Sequence, residues 1–253
     1  MLGATRFVRV MSYNVHGCVG IDRRLDPERI AQVIAACEPD VIALQELDVE
    51  RSRSGRIDQP RAIAAQLGMN VEFHPARNCD GGCYGNAVLS RYPLAPVRAA
   101  CLPQLGERWE PRAMQWVEVK APALSLNVLN THLGLDARER LLQTTTILGA
   151  EWVRQARENG PTVLCGDFNA SPRSSVYRQL TGELRDAQLA PQPKTRPRGT
   201  FPSLLPLLRI DHVLVSPELR VRQCRVMASW QARLASDHLP IVVDLQVGEK
   251  EDA

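Results

Sequence analysis

Gly166-Asp167-Phe168-Asn169 sets a carboxyl and an amide two residues apart, directly after the apolar run Pro161-Thr162-Val163-Leu164-Cys165. The run reads as a buried strand. Strand side chains alternate faces, so Asp167 and Asn169 point the same way where the strand gives way to a loop. A carboxylate there can take a proton from water, and an amide can donate a hydrogen bond to an oxyanion. Gly, Asp and Asn also suit a plain polar turn, so the reading depends on what stands elsewhere in the chain.

The same arrangement recurs. One strand ends in Tyr13-Asn14-Val15-His16-Gly17 and the next in Gln45-Glu46-Leu47. Asn86 lies at the start of a strand, Arg112 stands before another, and Asn130-Thr131-His132-Leu133 ends a third. Arg209-Ile210-Asp211-His212 and Ser236-Asp237-His238-Leu239-Pro240 follow. Strand ends are good places for chemistry, because the sheet supplies rigidity and the loops supply variety. Glu46 is a hard oxygen donor suited to Mg²⁺ or Mn²⁺.

The elements that must position these groups are legible from periodicity and punctuation. Strands are expected over 6–14, 41–44, 71–74, 87–90, 114–120, 124–130, 162–165, 210–215, 221–227 and 241–245. Asp26-Pro27 opens a helix with apolar face Ile30, Val33, Ile34 and Cys37. A second helix over 61–67 closes at Gly68. Asp136 caps a long helix to about Asn159, stopped by Gly160-Pro161. A short helix follows Pro172. Strands outnumber helices, and many connections are too short for a crossover helix. The pattern predicts mixed or antiparallel sheets with outer helices. One domain is expected over 1–253, with its core at about 6–247.

Composition bounds the function. The 253 residues carry a net charge of +3, too mild to signal nucleic-acid binding but compatible with an anionic substrate. Seven scattered cysteines read as reduced thiols rather than a disulfide framework. Cys79-Asp80-Gly81-Gly82-Cys83, with His74 nearby, lacks a second pair to complete a zinc site and reads as a plain loop. Residues 1–7 lack the pattern of a signal peptide, so none is expected, and no apolar run approaches the ~20 residues that cross a bilayer. A soluble, cytoplasmic monomer is expected. Residues 191–206 read as a long loop, and Leu204-Leu205-Pro206-Leu207-Leu208 as an apolar run expected to pack beneath it, the alternative being contact with a lipid or a partner.

The ordered set from Tyr13 to about Asp244 resembles the endonuclease/exonuclease/phosphatase (DNase I-like) superfamily, in particular its small phosphodiesterase-like hydrolases. The resemblance implies a four-layer α/β/β/α sandwich, with two mixed sheets face to face, helices outside each, and one site at the edge. It implies a Mg²⁺ or Mn²⁺ ion near Glu46, Asn14 and Asp237. Asp167 is similar to the family's water-activating acid, and Asn169 to the residue that holds the nucleophile and phosphate oxygens. Asp211 and His238 resemble a pair in which the acid orients the imidazole. His132 resembles a second phosphate-contacting histidine, and Arg112 and Asn86 further phosphate ligands. The implied reaction is hydrolysis of a phosphodiester, from nucleic acid, lipid headgroup or small molecule, by in-line attack of water.

Departures narrow the subgroup. His16 stands where abasic-site endonucleases carry Asp, and Ala170-Ser171-Pro172 continues the acid motif differently. A nonspecific DNase requires a basic groove. Arg51, Arg53, Arg56 and Arg61 offer one, diluted by Asp48, Glu50 and Asp58. A sphingomyelinase-like activity and a non-catalytic binding module are the remaining alternatives.

Overall fold

In strand β8 (Thr162–Asp167), Val163 and Cys165 face one apolar core while Leu164 faces another. That period-2 alternation, with both faces apolar, is what a sheet covered on both sides demands. The computed structural model describes residues 7–122, 124–190 and 196–247, so Arg6 and residues 191–195 of the expected loop lie outside the described residues. The first half of the chain runs β1 (Val8–Asn14), α1 (Pro27–Ala35), β2 (Val41–Val49), α2 (Gln59–Leu67), β3 (Asn70–Cys79) and β4 (Gly82–Ser90). Then come β5 (Leu94–Cys101), β6 (Ala113–Ala121), β7 (Leu124–His132), α3 (Ala137–Leu148), α4 (Gln155–Asn159), β8, α5 (Ser175–Glu183) and β9 (Arg185–Asp186). The chain closes with β10 (Asp211–Val215), β11 (Leu219–Val226), α6 (Trp230–Ala235) and β12 (Ile241–Val247).

Two six-stranded mixed sheets result, ordered β11-β12-β1-β2-β4-β3 and β5-β6-β7-β8-β10-β9. The pairs β1/β2 and β7/β8 are parallel. Each spans a connection long enough to carry helices, α1 in the first and α3 with α4 in the second, as parallel pairing requires. Val117, Val119, Leu126, Val128, Val163 and Val213 face the first sheet's Val10, Val41 and Ala43 in the inter-sheet core. Trp116, Leu129, Leu164 and Leu214 pack outward with Ile147, Trp152, Val153 and Leu180 of the helical layer. This is the expected sandwich of two face-to-face sheets.

Several local expectations are corrected. The helix from Asp136 breaks at Gly149, whose ψ of 175° is extended, and resumes through a π-type turn into α4. The apolar period alone did not reveal that break. Cys79 to Cys83 is no plain loop: Asp80 and Gly81, with φ of 55° and 75°, turn the β3–β4 hairpin, as an Asp-Gly pair favours. His74 pairs with Asn86, roughly 16 Å along the strand from Cys79, and the cysteines are free thiols. The run Leu204 to Leu208 is not packed beneath its loop. Residues 200–208 fold back through Thr200 N→Leu208 O, Leu208 N→Phe201 O and Leu205 N→Pro202 O bonds, and the leucines turn outward.

Gly166 is required where it stands. Its φ is 150°, and a Cβ there would lie 1.8 Å from the Thr131 carbonyl oxygen of the paired strand. Gly166→Ala is therefore expected to destabilise the fold by about 3 kcal/mol or more, read as a lower urea midpoint at unchanged slope.

Candidate active site

Glu46 owes its position to a β-bulge. The β2–β4 register slips between Leu44 and Leu47, and Glu46 takes a left-handed φ of 63°. Bulges re-aim side chains in this way. Gln45 turns inward and donates to Asn130 Oδ1 at 2.8 Å, while Glu46 emerges at the sheet edge. The bulge and its surroundings leave strand carbonyls to satisfy. Asn130 of the opposite sheet donates to Leu44 O and Ala87 O, both at 2.9 Å, tying the two sheets together beneath the site.

Four carboxylates converge above that tie. Asn14 Nδ2 donates to Glu46 Oε1 at 2.8 Å and to Asp167 Oδ2 at 3.1 Å, bridging the first sheet to the second. Its Oδ1 accepts from His16 N at 3.0 Å. His16 Nδ1 lies 3.7 Å from Glu46 and 3.6 Å from Asp237, so these two acids face one small space. Burial opposes ionisation of Glu46. Hydrogen bonds from His16 and the Asn14 amide nevertheless hold its carboxyl well below the usual carboxylate range. Glu46, His132 and Asp167 each offer a donor atom within 4.8 Å of the others, as do Asp167, Asp211 and His238. An oxygen-rich set without thiolate fits a hard divalent ion.

The two site histidines sit in opposite electrostatic settings. His132 is buried, and its Nδ1 lies 3.0 Å from Arg112 Nη1, which can only donate. The imidazole is therefore neutral with its proton on Nε2, which faces the acceptor Asp167 Oδ2 at 3.5 Å; in that tautomer Asn169 Nδ2, itself a donor 3.1 Å away, makes no bond to Nε2. Burial, reinforced by the Arg112 charge, drives its pKa well below the ordinary value. For His238, burial works the same way but is overcome. Asp211, through its charge and a 2.9 Å bond to Nδ1, together with Asp167 and Asp237, raises it to about 10. His238 is thus an imidazolium at neutral pH, with Nε2 3.7 Å from Asp167 Oδ2.

Asp167 lies at the centre. Burial first, and then the Asp211 charge, raise its carboxyl above the ordinary carboxylate range, against the opposing pull of His238 and of Asn169 N, which donates to Oδ1 at 2.9 Å. A carboxyl raised toward working pH is what a general base requires. Asn169 holds a left-handed φ of 47° and anchors its amide on Leu133 O at 3.0 Å. Asn14, Glu46, His132, Asp167, Asn169, Asp211 and His238 are thus joined by direct contacts. Asp237 joins them through His16. Arg112 joins through His132 and is also held by Glu110 at 2.8 Å. Asn86 stands further back, donating to Ala113 O at 3.2 Å beside Arg112.

Some members of this network were not singled out from the sequence. Thr200 Oγ1 donates to Asp211 Oδ2, and the Phe201 ring lies 4.9 Å from the His238 ring. Ser236 Oγ donates to Asn14 O at 2.8 Å and accepts from His238 N at 3.2 Å. The first two fall in the run Thr200-Phe201-Pro202-Ser203, shortly before Asp211 in the chain. His212 faces away from the site, stacked between Phe168 and Tyr177 with Nε2 2.8 Å from Ala170 O.

Comparison with known proteins agrees with this geometry. The chain is 27% identical to the uncharacterised protein YbhP of Escherichia coli over 94% of this chain and 96% of that one. The crystal structure of an endonuclease/exonuclease/phosphatase from Beutenbergia cavernae superposes with a TM-score of 0.76 at 26% identity, covering 98% of this chain and 73% of that one. A mannosyl-6-phosphatase from Bacteroides thetaiotaomicron shares the fold, with a TM-score of 0.74 at 21% identity over 94% of this chain and 99% of that one. Residues 11–238 match the Endonuclease/Exonuclease/phosphatase family, and with most of the chain inside that match, the protein belongs to this family of phosphoester hydrolases.

Proposed function

We propose that the protein is a divalent-metal-dependent phosphodiesterase that works by in-line attack of water. The observation that carries the reading is Asp167, a buried carboxyl of raised pKa held by Asn14 and Asn169 and faced by a cationic His238. Asp167 takes a proton from the attacking water as its oxygen bonds to phosphorus and the leaving oxygen departs. The Nε2 proton of His132 and the Asn169 amide meet the phosphoryl oxygens. Arg112 acts on the same oxygens through its charge and by fixing the His132 tautomer. Asn86 braces the backbone beside Arg112. His238, oriented by Asp211, presents a positive N–H to the charge that develops. Glu46 and Asp237 would hold Mg²⁺ or Mn²⁺, with Asn14 steadying Glu46. When bound, the ion supplies Lewis-acid neutralisation of phosphoryl charge.

A DNase reading is disfavoured by the state of three of the four clustered arginines, Arg51, Arg53 and Arg61. Arg51 is paired with Asp48 at 3.2 Å and Asp80 at 3.0 Å, Arg53 with Asp48 at 2.7 Å, and Arg61 with Asp58 at 3.4 Å. Cations already paired have little to offer a polyanion. The test is a Mg²⁺/Mn²⁺-dependent screen of plasmid DNA, abasic oligonucleotide, RNA, a chromogenic diester, phosphoinositides and sphingomyelin, with Asp167→Ala as control. Cleavage of a small or lipid diester with weak salt dependence is expected. Plasmid nicking that collapses with added salt would make the protein a DNase instead.

A further inference from the structure

The leucine loop is a feature that the hydrolytic site leaves unused. Leu204, Leu205, Leu207 and Leu208 are 53%, 63%, 72% and 49% exposed. Four adjacent, solvent-facing leucines form a contiguous apolar tip of the kind that marks an interaction surface. The tip is held firmly. Besides the hairpin bonds across 200–208, Ser203 N donates to Asp237 O at 2.7 Å, and Ser203 Oγ donates to Arg233 O at 2.9 Å. Arg233 returns Nη1 to Ser203 O at 2.6 Å and Leu204 O at 2.8 Å.

The same loop builds the site wall. Thr200 bonds Asp211, Phe201 lies against His238, and Ser203 is tied to the Asp237 backbone. The apolar tip is therefore fixed beside the catalytic groups. At its base opens a groove of about 560 Å³, where Arg196, Arg198 and Arg233 stand with Leu207, Val226 and Leu239. Arg233 spends Nε and Nη1 on carbonyls rather than on a carboxylate, so its charge is kept. The buttressing helix α6 also carries Trp230, 67% exposed one turn before Arg233. Apolar side chains flanked by guanidinium groups and an exposed indole complement an anionic lipid surface, where acyl chains and phosphates lie within a few ångströms of each other.

We infer that the loop 200–208 docks the protein on anionic phospholipid surfaces and so delivers membrane phosphodiesters to the site. What is cleaved there rests on the phosphodiesterase reading, whereas the docking does not. The test is flotation with vesicles of phosphatidylglycerol and phosphatidylcholine, or of phosphatidylcholine alone, using an Asp167→Asn background that leaves the lipid intact. Binding is expected to favour the anionic vesicles. The double substitution Leu205→Ser/Leu207→Ser is expected to weaken it by about 10-fold or more. In the Asp167 background of the natural sequence, the same double substitution is expected to leave hydrolysis of a soluble chromogenic diester unchanged. Undiminished vesicle binding by the double variant would overturn the inference, as would absence of binding to either vesicle. Sedimentation revealing a dimer that only the leucine variant dissolves, without vesicle binding, would assign the tip to a second copy and overturn it equally. Leucine-dependent vesicle binding by a protein that hydrolyses no diester would uphold the docking and remove the hydrolytic reading.

Discussion

Asp167→Asn is expected to lower turnover of a phosphodiester by about 10³-fold or more, with KM little changed and the fold intact. Asparagine keeps the shape and one oxygen, enough for either Asn169 N, now on Oδ1, or the Asn14 amide, now on Oδ2, but it cannot take a proton. The substitution also removes a carboxylate held in a buried site beside Asp211. Removing that like-charge burden leaves thermal stability equal to or above that of the parent. Loss of activity together with retained or raised Tm distinguishes a proton acceptor from a structural carboxylate. A fall in Tm matching the fall in rate would assign Asp167 to the scaffold.

Glu46→Gln is the second large effect. The carboxylate faces Asp237 across His16 and is kept ionised by His16 and Asn14. Glutamine preserves length and the bulge geometry while removing the charge. Apparent affinity for Mg²⁺ or Mn²⁺ is expected to fall by about 100-fold or more, and part of the lost rate is expected to return at high metal concentration. Titration calorimetry with Mn²⁺ gives an independent reading. Unchanged Mn²⁺ affinity in the variant would move the ion elsewhere.

The distribution of information between chain and fold follows from physics. Strands β1, β2, β7 and β8 were readable because each is a short apolar run ending in polar residues, and a sheet buried on both faces permits little else. Their ends therefore located Asn14, Glu46, His132 and Asp167 before any coordinates. Strand β5 was not readable: it is an edge strand, mostly exposed, interrupted by Pro96, and lacks the alternation that a half-buried strand shows. The bulge that aims Glu46 was invisible because Gln45 and Glu46 are both polar, and only the register against β4 separates them. Asn130 read as a strand-end residue, yet it satisfies carbonyls of the other sheet, a long-range contact that local pattern cannot encode. The leucines at 204–208 read as core because hydrophobicity favours burial. The backbone bonds of their hairpin and its attachment to Asp237 and Arg233 decide their direction instead.

We propose that these converging acids and imidazoles hydrolyse a phosphodiester with a divalent ion. The most direct test is hydrolysis of a chromogenic phosphodiester by protein stripped with EDTA, then reloaded with Mg²⁺ or Mn²⁺. Stripped protein is expected to show no turnover above the Asp167→Asn background, with full recovery on reloading. Undiminished turnover in excess chelator would contradict the proposal.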